Sequence, residues 1–197
     1  MNRTELIPWG EVGYPTYKRT YSRPIEGTDK TEEWPDTVSR VIEACNTQLG
    51  CGFNEFEQDD IRRFMLNLKG TVAGRFLWQL GTTTVDTLGM PSLQNCAFTL
   101  VDSPVRPFTW AFEMLMLGSG VGFNIQREHV LKLPVVKSSV EIVRKDTNDA
   151  DFIVPDSREG WVKLLGRVLK ASFYSGKGFS FSTILVRSKG SKIKGFG

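Results

Sequence analysis

The chain has 197 residues, 40% of them hydrophobic, with 25 Lys and Arg against 22 Asp and Glu and a formal net charge of +3. That length holds one domain, or a small helical region joined to part of a larger one, and the apolar share suffices for a core. Three cysteines make no paired framework, Met1 to Glu5 carry no apolar signal core, and no apolar run approaches the width of a bilayer, so a disulfide scaffold, a secreted precursor and a membrane-spanning chain are set aside and the cytoplasm is expected.

The first thirty or so residues are rich in Pro, Gly, Tyr and Arg without a period. They read as an extended arm or irregular cap, with Trp9, Tyr14, Tyr17 and Tyr21 to bury. A helix follows, with Pro35 near its start, Val38, Val41, Ile42, Cys45 and Leu49 at helical spacing, and Gly50 and Gly52 to stop it. A second helix is expected from about Asp59 to Lys69, with Ile61, Phe64, Met65 and Leu68 on one face and Gly70 at its end. After Gly74 the character changes. Leu93 to Val101 reads as a buried strand, Pro107 to Leu117 as a helix with Phe108, Phe112 and Leu115 inward, and Gly118 to Asn124 as a glycine-rich turn entering a strand. Residues 133–155 are mixed and polar, a possible β-rich insertion. Asp156 or Ser157 can cap a helix whose stripe is Trp161, Leu164, Leu165 and Val168, and Phe179 to Val186 is a further apolar strand. Helices first, then strands alternating with helices, predict an α/β fold: a helical region over 1–73 and the first part of an α/β domain over 74–197. So few strands cannot close or cover a sheet, which suggests that the remaining strands lie elsewhere.

The charge is unevenly placed. From Gly160 to Gly197 there is no acidic residue, while Lys163, Arg167, Lys170, Lys177, Arg187, Lys189, Lys192 and Lys194 are all basic. Such a stretch attracts nucleotide phosphates or nucleic acid, but charge patterning alone favours a solvated face beside an acidic segment.

Taken singly, the candidate chemical residues are weak. Cys45 lies on the apolar face of a helix and reads as structural, and Cys51 lies between glycines at a spacing that fits no common metal site. Cys96 falls in a strand beside Asn95, and alternation alone favours a buried, inert thiol with Asn95 on the other face unless the strand is bulged. His129 is the only histidine, so no catalytic triad and no metal site is supported. The turn Gly118 to Gly122 lets a ligand approach the backbone, but no Lys-Ser or Lys-Thr follows it and the order helix then strand is the reverse of a dinucleotide fingerprint. Gly190 to Gly197 mixes glycine and lysine, as phosphate contacts and plain surface turns both do.

As an ordered set these segments resemble the monomeric, adenosylcobalamin-dependent (class II) ribonucleoside-triphosphate reductases. The carriers are Pro8-Trp9-Gly10-Glu11-Val12-Gly13 with Thr16 to Arg23, Gly74-Arg75-Phe76-Leu77-Trp78-Gln79-Leu80-Gly81-Thr82, Leu93 to Phe98, Pro107-Phe108 through Phe123, Asp156 to Trp161, and Ile193 to Gly197. The resemblance covers nearly the whole chain. It implies the N-terminal helical cap and the first part of a ten-stranded α/β barrel, incomplete here. It implies reduction of ribonucleoside triphosphates to 2′-deoxyribonucleoside triphosphates by radical chemistry, with a cysteine pair as reductant.

On this resemblance Cys96 is the one catalytic residue present, half of the dithiol that supplies two electrons. Asn95 and Gly120 would sit at the substrate ribose and phosphate, and Gly122 would support that turn. Asp102 would lie at a deoxynucleoside-triphosphate effector site that the stretch 133–155 completes. The cofactor implied is adenosylcobalamin, with most contacts outside this chain. The implied partners are the ribonucleoside triphosphate, a dNTP effector, a complementary C-terminal polypeptide and a thioredoxin-like reductant, with no nucleic acid and no membrane. The radical-carrying cysteine and the second redox cysteine would lie beyond Gly197, so this chain is expected to be inactive alone. A non-catalytic nucleotide-binding module is the alternative. A basic nucleic-acid-binding protein ranks last, because most aromatics fall at expected core positions.

Overall fold

A computed structural model describes residues 8–191. The motif Ile193 to Gly197 and the terminal residues Met1 to Glu5 lie outside the described residues. The chain divides into two compact units between Gln94 and Asn95, beyond the boundary at 73/74 drawn from the sequence.

The first unit is helical: α1 (Gly13–Thr20), α2 (Trp34–Thr47), α3 (Glu55–Leu66), α4 (Gly74–Gln79), α5 (Thr83–Leu88) and a 3-10 turn at Met90–Leu93. The expected irregular arm contains α1 instead. Tyr14, Tyr17 and Tyr21 recur at helical spacing, a stripe hidden by the surrounding Gly and Pro. Tyr17 is buried, its ring stacks on Trp9 at 5.5 Å and meets Trp34 edge-on at 5.4 Å, and its hydroxyl donates to Glu32 O at 3.1 Å. Burial, the dominant cause, pushes the Tyr17 phenol up to about 12.

α2 begins with a capping box in which the Glu33 N–H donates to the Asp36 carboxylate at 2.9 Å. Its core stripe is the expected one, with Val38, Val41 and Ile42 fully buried. α3 starts at Glu55, earlier than expected, because Asn54 caps it by accepting the Glu57 N–H at 3.1 Å. On its inner face Met65 is buried and Ile61 packs on the core, while Phe64 is exposed. α4 and α5 are too short for a period to reveal.

One ion pair ties this unit together. The Arg40 guanidinium donates to Glu32 Oε1 at 2.6 Å and Oε2 at 2.9 Å, and also to the carbonyls of Leu77, at 2.9 Å, and Leu80 at the end of α4. Burial raises the Glu32 carboxyl, but hydrogen bonds from Arg40 and Thr37 and the Arg40 charge outweigh it and hold the group below its ordinary value.

The second unit is α/β. It runs β1 (Cys96–Leu100), α6 (Arg106–Met116), β2 (Gly120–Asn124), α7 (Arg127–Val130), β3 (Ile142–Arg144), β4 (Phe152–Ile153), α8 (Arg158–Lys170), a π turn at Ala171–Ser175, and β5 (Phe179–Ser182). β1 and β2 pair in parallel, and β3, β5 and β4 form a second parallel sheet in that order. Mixed helix and strand is therefore the fold class, with two partial sheets in place of a closed barrel. α6 is shifted in phase from expectation: Met114 and Leu117 are buried and Leu115 is exposed. In α8, Ser157 is the cap, accepting the Gly160 N–H at 3.0 Å, and of the expected stripe Leu164 is the buried member.

The stretch 133–155 supplies β3 and β4. Its turn is fastened to β5 by two aspartates: Asp146 accepts the Thr183 N–H at 2.7 Å, and Asp151 accepts the Ser180 N–H at 2.7 Å. The Arg144 hydrogen bond, then the Thr183 N–H, hold the Asp146 carboxyl down at about 2. The basic stretch is partly matched as its charge pattern suggested, since Arg187 pairs with Asp156 at 2.9 Å. No helix of the described residues is long and apolar enough to cross a membrane.

Candidate functional site

The parallel pair β1–β2 is built by a crossover, since two parallel neighbours cannot be joined by a hairpin. α6 is that crossover and packs on both strands. The chain leaves α6 through Gly118, whose φ of +81° reverses it, and through the buried Ser119. The Gly120 N–H then donates to Asn95 O at 2.8 Å, which fixes the register: Cys96 lies opposite Gly120 and Phe98 opposite Gly122.

Four of the residues singled out from sequence are thus brought together: Asn95, Cys96, Gly120 and Gly122. Alternation puts Cys96, Phe98 and Leu100 on one face of β1, and all three are exposed. Ala97 and Thr99, between them, are half-buried. The expectation of a buried Cys96 from pattern alone is corrected here. An apolar parallel strand usually has both faces covered, but the Cys96 face is open. Asn95 is exposed just before the strand, and its carbonyl accepts the Gly120 N–H.

The two glycines keep that face low. A Cβ at Gly122 would stand 3.0 Å from Phe98 Cδ2, so a side chain there would displace the ring, whereas at Gly120 it would meet only Asn95 O at 3.8 Å. What the arrangement offers is a thiol beside a bare stretch of backbone, open to a ligand that needs close approach. Asp102 is not part of this cluster. It is exposed in the loop between β1 and α6.

Asn124 was not anticipated. Its Oδ1 accepts the Val101 N–H at 2.9 Å and so closes the far end of the strand pair. An asparagine ending an apolar strand is a weak sign of such a clasp. His129 lies on the four-residue α7 and contacts Glu128 at 3.4 Å. Among the described residues no group of three or more His, Cys, Asp or Glu side chains could hold a metal ion.

Residues 1–82 match the family model of the ribonucleotide reductase alpha domain. Adenosylcobalamin-dependent ribonucleoside-triphosphate reductases of Lacticaseibacillus paracasei and Levilactobacillus brevis are 28% and 30% identical, over 99% and 98% of this chain and 34% of each relative. A probable enzyme of the same name from Dictyostelium discoideum is 31% identical over 96% of this chain and 28% of its own length. A crystal structure of a B12-dependent (class II) ribonucleotide reductase superposes with a TM-score of 0.80 at 25% identity, covering 99% of this chain and 35% of that one. The chain therefore spans about a third of the length of these relatives. In sequence and in fold, it is similar to the N-terminal part of the adenosylcobalamin-dependent, class II ribonucleotide reductases.

Proposed function

We propose that this chain is the N-terminal part of a reductase that converts ribonucleoside triphosphates to 2′-deoxyribonucleoside triphosphates, with Cys96 as one of its two reducing thiols. The observation that carries the reading is the exposed Cys96 set in register against Gly120 on an open strand pair, in a chain similar over nearly its whole length to such reductases.

The chemistry assigns each residue a task. Loss of the ribose 2′-hydroxyl as water with hydrogen in its place consumes two electrons and two protons. A dithiol supplies both and ends as a disulfide. Cys96 is one thiol, and its partner belongs to the remaining part of the protein. The Gly120 and Gly122 backbone admits the ribose and its phosphates to the Cys96 face, and the Asn95 amide orients a hydroxyl. A thioredoxin-like protein would return the disulfide to the dithiol. Asp102 and the stretch 133–155 are assigned to a dNTP effector site, and β1 and β2 to the first strands of a ten-stranded barrel completed by the C-terminal polypeptide. Adenosylcobalamin is named in the relatives. The face around Cys96 offers one sulfur, two hydrocarbon side chains and two glycines, a set without a nitrogen ligand for a corrin cobalt.

The test is reconstitution. This chain, mixed with a polypeptide covering the remaining two thirds of a relative, should form deoxyribonucleoside triphosphate when adenosylcobalamin and a dithiol reductant are present, and neither piece should do so alone. Turnover by this chain alone would overturn the reading. So would tight dNTP binding by this chain alone, unchanged in Cys96→Ser, with no turnover by the mixture. That result would favour a nucleotide-binding module.

A further inference from the structure

The reductase reading uses Cys96 and leaves the other two cysteines without a task. They are close together. α2 ends at Thr47, and the chain turns back through Gly50 and Gly52, whose φ angles are +65° and +70°. The turn brings the Cys51 N–H to the Cys45 carbonyl at 3.0 Å. With that nitrogen and oxygen 3.0 Å apart, bond lengths hold the two α-carbons within about 7 Å of each other, at the reach of the about 4.4–6.8 Å that a disulfide spans. The Cys45 thiol also senses Cys51. Burial raises the Cys45 thiol above its ordinary value, and the charge and hydrogen bond of Cys51 add to the rise.

The loop is held in this position from both sides. The Asn46 amide makes two bonds to Phe53: its Nδ2 donates to Phe53 O at 3.0 Å and its Oδ1 accepts the Phe53 N–H at 2.9 Å. Gln58 of α3 donates to the same carbonyl at 2.9 Å. Nothing lies within 4 Å of a Cβ built at Gly50 or Gly52, so both turn positions border open space. The two thiols differ in access: Cys51 is exposed, while Cys45 is half-buried against an apolar recess lined by Val41, Ile42, Ile61 and Met65.

We propose that Cys45 and Cys51 form a redox-active dithiol that closes to an intramolecular disulfide by exchange with a small disulfide such as oxidised glutathione. Cys51 attacks the external disulfide, forming a mixed disulfide and releasing one small thiol. Cys45 then attacks the Cys51 sulfur, forming the Cys45–Cys51 bond and releasing the second. Two electrons and two protons pass from the protein dithiol to the external disulfide, which leaves as two thiols. The loop that holds the sulfurs in reach makes the second step intramolecular and therefore favoured over a stable mixed disulfide. Closure would staple the end of α2 to the segment entering α3. This inference is independent of the reductase reading.

The experiment poises the full chain in a series of oxidised and reduced glutathione mixtures, quenches with acid, denatures, alkylates free thiols and maps the peptides by mass. A peptide linked through Cys45 and Cys51 should appear, and the ratio of alkylated to linked Cys45 should fall about tenfold for each change of about 30 mV in poise. In Cys51→Ser, Cys45 should stay alkylated across the series, and in Cys96→Ser the linked peptide should persist. The proposal is overturned if Cys51 stops at the glutathione mixed disulfide with Cys45 still free. Equal loss of Cys45 in Cys51→Ser, or linkage only to Cys96, overturns it as well.

Discussion

Replacing Arg40 by Met keeps most of the side chain's length and removes its charge. The Glu32 and Arg40 side chains are only 10% and 15% exposed, so solvent does little to screen the carboxylate left behind. Glu32 would keep the Thr37 hydroxyl at 2.7 Å and the Arg23 N–H at 3.3 Å, while the carbonyls of Leu77 and Leu80 would lose their donor. Removing one partner of such a pair costs about 3–5 kcal/mol. Two retained hydrogen bonds place this case near the lower end, at about 3 kcal/mol. With about 2 kcal/mol per molar in urea, the midpoint should fall by about 1.5 M. Trp34 is buried in the same unit, so its fluorescence reports this transition. The effect should depend on pH. The Glu32 carboxyl is held below its ordinary value of 4.5, so its contribution is complete above that value and is lost as pH falls through the lowered folded one. The gap between parent and Arg40→Met should therefore narrow in acid. A loss under about 1 kcal/mol at pH 7, or a gap that widens in acid, would refute the reasoning.

Three further outcomes follow from the same structure. Tyr17 is raised to about 12 from 10.0, so its share of stability is complete below pH 10 and is lost as pH rises toward 12; ultraviolet titration should show a phenol titrating near 12 that Tyr17→Phe removes. Gly122→Val places a Cβ 3.0 Å from the Phe98 ring and should cost about 1–3 kcal/mol by thermal unfolding, while Gly120→Ala, in ordinary contact, should cost less. Ser157→Ala removes the cap that accepts the Gly160 N–H and should cost about 1 kcal/mol, whereas Ser157→Asp should retain stability; equal loss in both would contradict the capping role.

How far the sequence could be read follows from what pattern encodes. The spacing of Val38, Val41 and Ile42 marks the buried stripe of α2 because a long helix repeats its inward face several times. The succession of apolar strand, helix and glycine turn marks β1, α6 and β2, because a parallel pair needs a crossover between its strands. α1 escaped because three tyrosines among Gly, Pro and Arg are a short signal, and its packing on Trp9 and Trp34 is a tertiary fact. The exposure of Cys96 escaped because alternation says which residues share a face and not whether that face is covered. The approach of Cys51 to Cys45 escaped because the left-handed Gly50 between them matters only once the turn is closed.

The central claim is that Cys96 delivers reducing electrons. A pre-reduced assembly of this chain with a polypeptide covering the remaining two thirds of a relative, freed of external thiols and given adenosylcobalamin and ribonucleoside triphosphate, tests it in a single turnover. The account predicts about one equivalent of deoxynucleotide per assembly, matched by loss of alkylatable Cys96, and no product with Cys96→Ser although the substrate still binds. A full equivalent of product from Cys96→Ser would contradict it.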